Sequence, residues 1–422
     1  MKWRDFHSDI GRRLFHRKAV DPARNTDSVQ QMNTLYSRVI ATHFAAALLI
    51  LNPTADAQLA ASGTPGDRAV YTIGTGASIE PGLGNSVAHN FATTAVEDTA
   101  DSFDLQAGGA VNLTAGHHLV IYGTRYLNTN PGIATRAGLD NTILINGSPI
   151  SYGAASSYSR DGSNNNNFVR GGSIVEVAQG DSVGFESKRT DNNAQLRIAQ
   201  QDADLQLVKL DDSLSYLRLR ASANAANLMS NTSAGPSTVS YDVQDEIDAG
   251  FTHTSGSGDI TLDEAGRYLV FANTGFRISG GNRHRQAITQ RLALDGTPVE
   301  DSSTVVYIRY SGSGDGLGGL MVTGASSVGT IIQTTADNSV LNVEVLRDND
   351  PSRTNTAVAL EAALTGLTIL KLPNYGEVIR LSGPSQEISA AQGNPETPLD
   401  LSDVSPVSNA SFSYDAGSSV SQ

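Results

Sequence analysis

Two short acidic-amide segments are the parts of the sequence best suited to chemistry. They comprise Asp191, Asn192 and Asn193 in the first half of the chain and Asp348, Asn349 and Asp350 in the second. Each follows a segment that contains Glu and Arg, GFESKR at 184–189 and NVEVLR at 342–347. Hard cations such as calcium take several oxygen ligands from flexible loops. Asp and Asn also favour tight turns, and neither segment has the D-x-[DN]-x-[DN]-G spacing of a calcium loop. We therefore predict hairpin turns, with a calcium site as the alternative and no other cofactor.

The adjacent pair His117-His118 offers a second set of metal-ligating side chains. Neighbouring residues on a strand point to opposite faces, so the two rings cannot reach one ion. The equivalent positions later in the chain are Arg267 and Tyr268. We predict two ordinary strand positions.

Several catalytic signatures are absent from this sequence. It has no HExxH or P-loop sequence, and it contains no cysteine. Glu186 with Arg189, and Glu344 with Arg347, are three residues apart on strands and therefore on opposite faces, where we expect solvated side chains. We predict that the protein is not an enzyme. The alternative is a polysaccharide-acting or carbohydrate-binding enzyme in which Glu186 and Glu344 face each other across a cleft.

Short β-strands must position these residues. The chain has 41 glycines and 17% charged residues, and its apolar residues come in short alternating bursts without a helical period. One sequence segment, which we call the recurring phrase, occurs near the middle of each half. Its copies are AGHHLVIYGTRY at 115–126 and AGRYLVFANTGF at 265–276. Two landmarks recur with it: a strand that begins with Phe103 or Phe251, and an Asn-Gly or Asp-Gly hairpin turn at 146–147 and 295–296.

The sequence therefore predicts an all-β protein with two tandem antiparallel jelly-roll sandwiches plus the start of a third. The predicted repeats are 68–212 and 213–374, with an incomplete third repeat at 375–422. In the second copy of the phrase, Tyr268, Val270 and Ala272 face one way, and Arg267, Leu269 and Phe271 face the other. Because both faces carry apolar residues, this strand should be central or lie at a subunit contact.

The residues of the second repeat resemble the C1q/TNF-like jelly-roll superfamily. The segment from Ile260 to Phe271, ITLDEAGRYLVF, and the segment from Leu364 to Leu370, LTGLTIL, are similar to its motifs. The first repeat departs from them, with His118 at the position of Tyr268. The resemblance implies modules that commonly trimerise and bind ligands without chemistry. It implies other copies of the chain, in a trimer or a filament, as partners.

The N-terminal residues 1–57 resemble a secretory leader, in which Met32 is an alternative start. The apolar run at 39–51 is too short for a bilayer span, and Ala-Asp-Ala at 55–57 predicts cleavage before Gln58. The twin arginines at 12–13 lie too far from this run for a Tat signal, which favours Sec export. We predict a secreted, extracellular or cell-surface protein with no membrane span. The net charge of −14 disfavours nucleic acid as a partner.

These features together predict a secreted bacterial structural or adhesive protein that binds an extracellular glycan or protein. Tandem non-catalytic modules raise avidity without new contacts. The incomplete third repeat indicates either a truncation or, as a further alternative, a donor-strand filament subunit. A capsid or tail-fibre protein is disfavoured by the predicted leader.

Overall fold

The computed structural model describes fourteen stretches of the chain, and these contain strands and no α-helix. The described residues are 67–73, 86–91, 93–97, 102–128, 136–160, 166–189, 198–224, 228–229, 235–278, 285–309, 323–347, 358–373, 381–382 and 403–404. None of the described segments is a helix long and apolar enough to cross a membrane. The prediction of an all-β jelly-roll protein is confirmed.

Two compact units divide the chain. One is Leu48–Val378, and the other combines Met1–Ala47 with Ile379–Gln422. In the second unit the described residues form one antiparallel pair, β25 (Leu381–Ser382) with β26 (Asp403–Val404). The predicted leader at 1–57 and most of the predicted third repeat lie outside the described residues.

The described residues of the first sandwich form eleven strands in two antiparallel sheets. One sheet has the order β3-β1-β11-β6-β9 and the other the order β4-β5-β10-β7-β8, with β2 beside β10. The strands are β1 (Arg68–Thr72), β2 (Ser86–Ala88), β3 (Thr93–Glu97), β4 (Phe103–Leu105), β5 (Val111–Leu113), β6 (Gly116–Asn128), β7 (Arg136–Ile145), β8 (Ser148–Arg160), β9 (Asn166–Val177), β10 (Ser182–Arg189) and β11 (Ile198–Lys209).

The second sandwich repeats this arrangement. Its sheets have the orders β14-β12-β24-β17-β21, with β23 beside β17, and β15-β16-β22-β18-β19, with β13 beside β22 and β20 beside β18. The strands are β12 (Tyr216–Arg220), β13 (Ser237–Thr238), β14 (Val243–Ile247), β15 (Phe251–His253), β16 (Ile260–Leu262), β17 (Gly266–Ile278), β18 (Arg285–Leu294), β19 (Thr297–Pro298), β20 (Thr304–Arg309), β21 (Thr323–Thr334), β22 (Ser339–Arg347), β23 (Val358–Leu360) and β24 (Gly366–Leu372). A short 3-10 helix, Ala362–Leu364, precedes β24. The repeat boundaries at 68–212 and 213–374 stay predictions.

Each sandwich has its own apolar core. In the first, Tyr71, Val120 and Phe185 have no exposed surface, and in the second the same holds for Tyr268 and Val343. These residues alternate along their strands with residues that point away from the core, as the period of two requires. Burial of a large apolar side chain contributes about 1.5–3 kcal/mol. The two sandwiches therefore have separate hydrophobic centres.

The predicted hairpin turns are present in both sandwiches. Asn146 and Gly147 have φ of 51° and 74°, and Asp295 and Gly296 have φ of 50° and 75°. Two consecutive positive φ values define the type I′ turn, whose twist matches the strands it joins. Each turn joins two antiparallel strands, β7 to β8 and β18 to β19.

The recurring phrase forms β6 and β17, which occupy the same place in their sheets. In β17, Tyr268, Val270 and Ala272 lie in the core, while Leu269 and Phe271 are buried outside it. The strand is flanked by β24 and β21. The prediction that both faces are covered is confirmed.

The prediction of solvated positions on the Glu/Arg strands is wrong at two of them. Arg189 is only 3% exposed. The carboxylate of Glu344 lies 2.7 Å from Nη2 of Arg291 on the adjacent β18. The reason is that β10 and β22 lie inside their sheets, where neighbouring strands supply cross-strand partners.

Candidate functional site

The acidic-amide segments predicted from sequence, Asp191–Asn193 and Asp348–Asp350, lie outside the described residues. The calcium alternative for them stays a prediction. The candidate site in the described residues is the contact between the two sandwiches, where charged and polar side chains of both lie together.

The two adjacent histidines point to opposite faces of β6, as predicted. His118 is fully buried on the core side, with its ring 5.9 Å from that of Phe103 and its Nδ1 3.2 Å from the carbonyl oxygen of Gly116. Burial, reinforced by the positive charge of Lys209, lowers the pKa of His118 to about 3. His118 is therefore a neutral core residue.

His117 faces the second sandwich and lies between two carboxylates. Its Nδ1 is 3.0 Å from Asp212 in the segment between the sandwiches, and its Nε2 is 2.9 Å from Glu246 on β14. The ring stacks on Tyr216 of β12 with a centroid separation of 3.8 Å. Burial by itself lowers the pKa of His117, but the hydrogen bonds and charges of Glu246 and Asp212 outweigh it, and the net shift is upward.

Arg218 of β12 joins the same group from the second sandwich. Its guanidinium lies 2.8 Å from Glu176 on β9 and 3.4 Å from Glu246, and it sits over the ring of Tyr152 at 5.7 Å. Burial by itself raises the pKa of Glu246, but its contacts with His117 and Arg218 lower it overall. Lys209 completes the group through a contact of 2.9 Å with Asp212. Six residues, the His117 cluster, thus connect the sandwiches: His117, Glu176, Lys209, Asp212, Arg218 and Glu246.

The cluster has some features of a metal site. Ligand atoms of His117, Glu176 and Glu246 lie within 4.8 Å of one another. However, the guanidinium of Arg218 already occupies the space between the two carboxylates. A fixed cation there competes with a metal ion for the same oxygens. We therefore interpret the group as an ion-pair network.

Backbone and side-chain hydrogen bonds extend this contact away from the cluster. Thr368 Oγ1 accepts the backbone N–H of Ile174 at 3.3 Å, and Ser156 Oγ accepts that of Ala325 at 2.7 Å. Asn273 donates through Nδ2 to the carbonyl oxygen of Ala154 at 2.6 Å. In each pair one partner belongs to the first sandwich and the other to the second. The edge formed by β8 and β9 thus packs on the sheet β12-β24-β17-β21.

Apolar side chains fill the same contact. A set of fully or almost fully buried residues belongs to neither core: Leu119, Ile121, Ile174, Leu269, Phe271 and Leu370. At Gly172 of β9 the backbone comes so close that a Cβ atom there would lie 2.9 Å from Cε1 of Phe271. This face of each sheet is therefore used for packing between repeats.

The enzymatic alternative finds little support in the described residues. Glu344 is neutralised by Arg291, with contacts of 2.7 and 2.8 Å. An open depression beside Thr238 and Ser240 contains one carboxylate, Asp242, and Ser222 donates to it from both its N–H and its hydroxyl. Neither arrangement provides a pair of free carboxylates.

Sequence reasoning missed most of the His117 cluster. It identified His117 as a strand position, but nothing in the sequence singled out Asp212, Arg218 or Glu246. Glu246 lies 129 residues from His117 along the chain. Only the packing of one sandwich on the other brings them together.

No protein-family model matches the chain, and no curated protein matches it. Among solved structures it is similar to murine APRIL, crystallised at pH 8.5 and pH 8.0, each at 12% identity and a TM-score of 0.22 over 37% of this chain and 98% of that one. It is also similar to the globular domain of zebrafish complement 1qA, at 12% identity and a TM-score of 0.22 over 35% of this chain and 99% of that one. The strand order described above, rather than these matches, defines the class: an all-β protein of tandem antiparallel jelly-roll sandwiches.

Proposed function

We propose that this chain is a secreted or cell-surface structural or adhesive protein with tandem C1q/TNF-like, non-catalytic binding modules. The observation that supports this is the contact between the sandwiches. The ionisable groups best placed for chemistry, His117, Glu246 and Arg218, connect one module to the other. A rigid pair of modules presents two sets of loops at a fixed spacing, which favours multivalent binding.

The ligand in this proposal is an extracellular glycan or protein, with calcium as an additional ligand of the acidic-amide segments 191–193 and 348–350. The test is retention of the purified protein on a glycan array and on cell-surface material, in about millimolar calcium and in chelator. Retention in calcium supports binding. Lack of retention on every surface in both conditions contradicts the adhesive function. Equal retention in calcium and in chelator contradicts only the proposal that calcium takes part in binding.

Export is tested separately from binding. We propose Sec-dependent secretion with cleavage after residue 57. Expression in a bacterial host, followed by mass determination of the exported chain, should give a mature N-terminus at Gln58. A protein that stays inside the cell at full length would contradict this part of the proposal.

We also propose that other copies of the chain are partners, in a trimer or a filament. β20 pairs with β18 as β8 pairs with β7, and its register places Val305 at the position that Ser156 occupies in the first sandwich. Ser156 contacts the neighbouring sandwich, whereas Val305 is 64% exposed. Because the equivalent position of the first sandwich lies at a contact between sandwiches, we propose a further sandwich as the partner of this edge.

Native mass spectrometry tests this partner. Val305→Glu should shift the protein towards the monomer, while Ile247→Glu, at another exposed apolar position, should not. A wild-type protein that is monomeric at all concentrations would contradict self-association. Deletion of residues 375–422 tests the donor-strand alternative, because a polymer that survives the deletion rules it out.

A further inference from the structure

We propose that His117 is a proton-dependent clamp that holds the two sandwiches together when its ring is an imidazolium. The inference concerns the contact between the modules and is independent of what the protein binds. It rests on the number of protons that the geometry requires and on the charge of the surrounding cluster.

The hydrogen-bond geometry at His117 needs two N–H donors. Both ring nitrogens face carboxylate oxygens, at 3.0 Å for Asp212 and 2.9 Å for Glu246. A neutral imidazole has one N–H and one lone pair, whereas an imidazolium has two N–H groups. With a neutral ring, one carboxylate would face a lone pair at hydrogen-bond distance. The arrangement is satisfied only when His117 is protonated.

The charges of the cluster also favour a protonated His117. Three carboxylates, those of Glu176, Asp212 and Glu246, face two fixed cations. These cations are Lys209, 2.9 Å from Asp212, and Arg218. A protonated His117 balances the cluster, and a neutral one leaves a net negative charge at the contact. Because Glu246 is only 16% exposed, solvent screens this imbalance weakly there.

The remaining charged groups nearby do not replace His117. Asp211 and Asp248 lie on either side of Tyr216 and accept the backbone N–H groups of Ser213 and Tyr216. His118, on the other face of β6, is neutral, because burial lowers its pKa to about 3. The raised pKa of His117 and the lowered pKa values of Asp212 and Glu246 agree with an ion pair across the contact.

The direction of the pH dependence follows from these shifts. A group whose folded-state pKa is raised stabilises the contact fully below its unfolded pKa of about 6.5, and this is lost as pH rises through the folded pKa. The carboxylates have lowered pKa values, so their contribution is present above about pH 4 and is lost in stronger acid. The clamp is therefore strongest from about pH 5 to about pH 6.5.

Hydrogen exchange of amides that bond across the contact measures the clamp directly. The N–H groups of Ile174 and Ala325 are bonded to hydroxyls of the opposite sandwich, whereas that of Val239 bonds to Val343 within the second sandwich. After correction for intrinsic exchange, protection of the first two should fall as the pH rises above about 6.5, by about tenfold in total per unit of pKa shift. Protection of Val239 should not follow this change.

Two variants and a control separate the clamp from general stability. His117→Gln, with one donor group and no charge, should abolish the pH-dependent loss of protection. Glu246→Gln should reduce it, and should lower the pKa of His117 in an NMR titration. His253→Gln, which alters a histidine that bonds only within the second sandwich, should behave like wild type. A His117 pKa at or below about 6.5 in the wild-type protein, or an unchanged pH profile in His117→Gln, would overturn the proposal.

Discussion

Substitution of Gly366 by alanine should destabilise the contact between the two sandwiches. Gly366 begins β24, where β8 of the first sandwich passes directly over it. A Cβ atom at this position would lie 2.4 Å from Cβ of Tyr152 and 2.9 Å from its Cα. These two atoms are fixed by the backbone, so no change of rotamer relieves the clash. The methyl group can be accommodated only if β8 moves away from β24.

The expected loss follows from two opposing effects. Insertion of a methyl group into a close-packed contact costs about 1–3 kcal/mol. Alanine also restricts the unfolded chain, which stabilises the folded state by about 0.4–1 kcal/mol. With the middle of the first range, about 2 kcal/mol, the net destabilisation is about 1–2 kcal/mol. For a cooperative unit of about 150–250 residues, each kcal/mol lowers Tm by about 2–4 °C, so we expect a decrease of about 2–8 °C.

Gly184 provides a matched control for this experiment. It lies inside β10, and a Cβ atom built there would have no heavy atom of another segment within 4 Å. Gly184→Ala should therefore leave Tm unchanged or raise it slightly. Differential scanning calorimetry of both variants compares them directly. If Gly366→Ala melts at the same temperature as Gly184→Ala, the two sandwiches do not pack as described.

Two further predictions concern buried charges. Arg218→Met removes the guanidinium that bridges Glu176 and Glu246 and should cost about 1–3 kcal/mol at neutral pH, because the partly buried Glu246 then has His117 as its remaining cationic partner. Urea denaturation measures this loss, which should be smaller when Glu246→Gln is already present; an equal loss in both backgrounds would contradict the bridge. Asp140→Asn should stabilise the protein by about 3 kcal/mol well above pH 6, because burial, with a smaller contribution from the charge of Glu361, raises the pKa of Asp140 to about 6. A group with a raised folded-state pKa contributes stability below its unfolded pKa and loses it as pH rises, so the two proteins should have the same Tm near pH 4; a variant less stable than wild type at pH 8 would refute this.

Local patterns predicted the elements of the fold well. Asn146-Gly147 and Asp295-Gly296 identified the hairpins, because few residue pairs tolerate two positive φ values. The alternation in the recurring phrase identified β17 as a strand covered on both faces. Turn chemistry and side-chain period are both encoded within a few residues, so the sequence alone was enough.

The candidate site could not be predicted in the same way. His117 meets Glu246 because two separately folded sandwiches pack together, and no short-range pattern records that packing. Arg189 shows the same limitation, since a charged residue on a strand was expected to be solvated and is almost fully buried. Its burial depends on the position of β10 within the sheet.

Equivalent positions in the two sandwiches explain why the second sandwich binds the β8–β9 edge of the first and why the roles are not reversed. The strand registers place Arg218 and Thr368 where the first sandwich has Val70 and Gln206. Arg218 and Thr368 bond to Glu176 and Ile174 across the contact. In the first sandwich Val70 and Gln206 are only partly buried, whereas Arg218 and Thr368 are buried.

The same difference appears on the central strands. Asn273 of β17, which donates across the contact to Ala154, corresponds to Gly123 of β6, which has no side chain to donate. The first sandwich thus lacks side chains equivalent to Arg218 and Asn273, and it has Gln206 at the position of Thr368. A contact between different surfaces of two related units is heterologous. Here the first sandwich contributes its β8–β9 edge, and the second contributes the face of its β12-β24-β17-β21 sheet. The two sandwiches therefore differ in residue type where they meet, although their strand orders are the same.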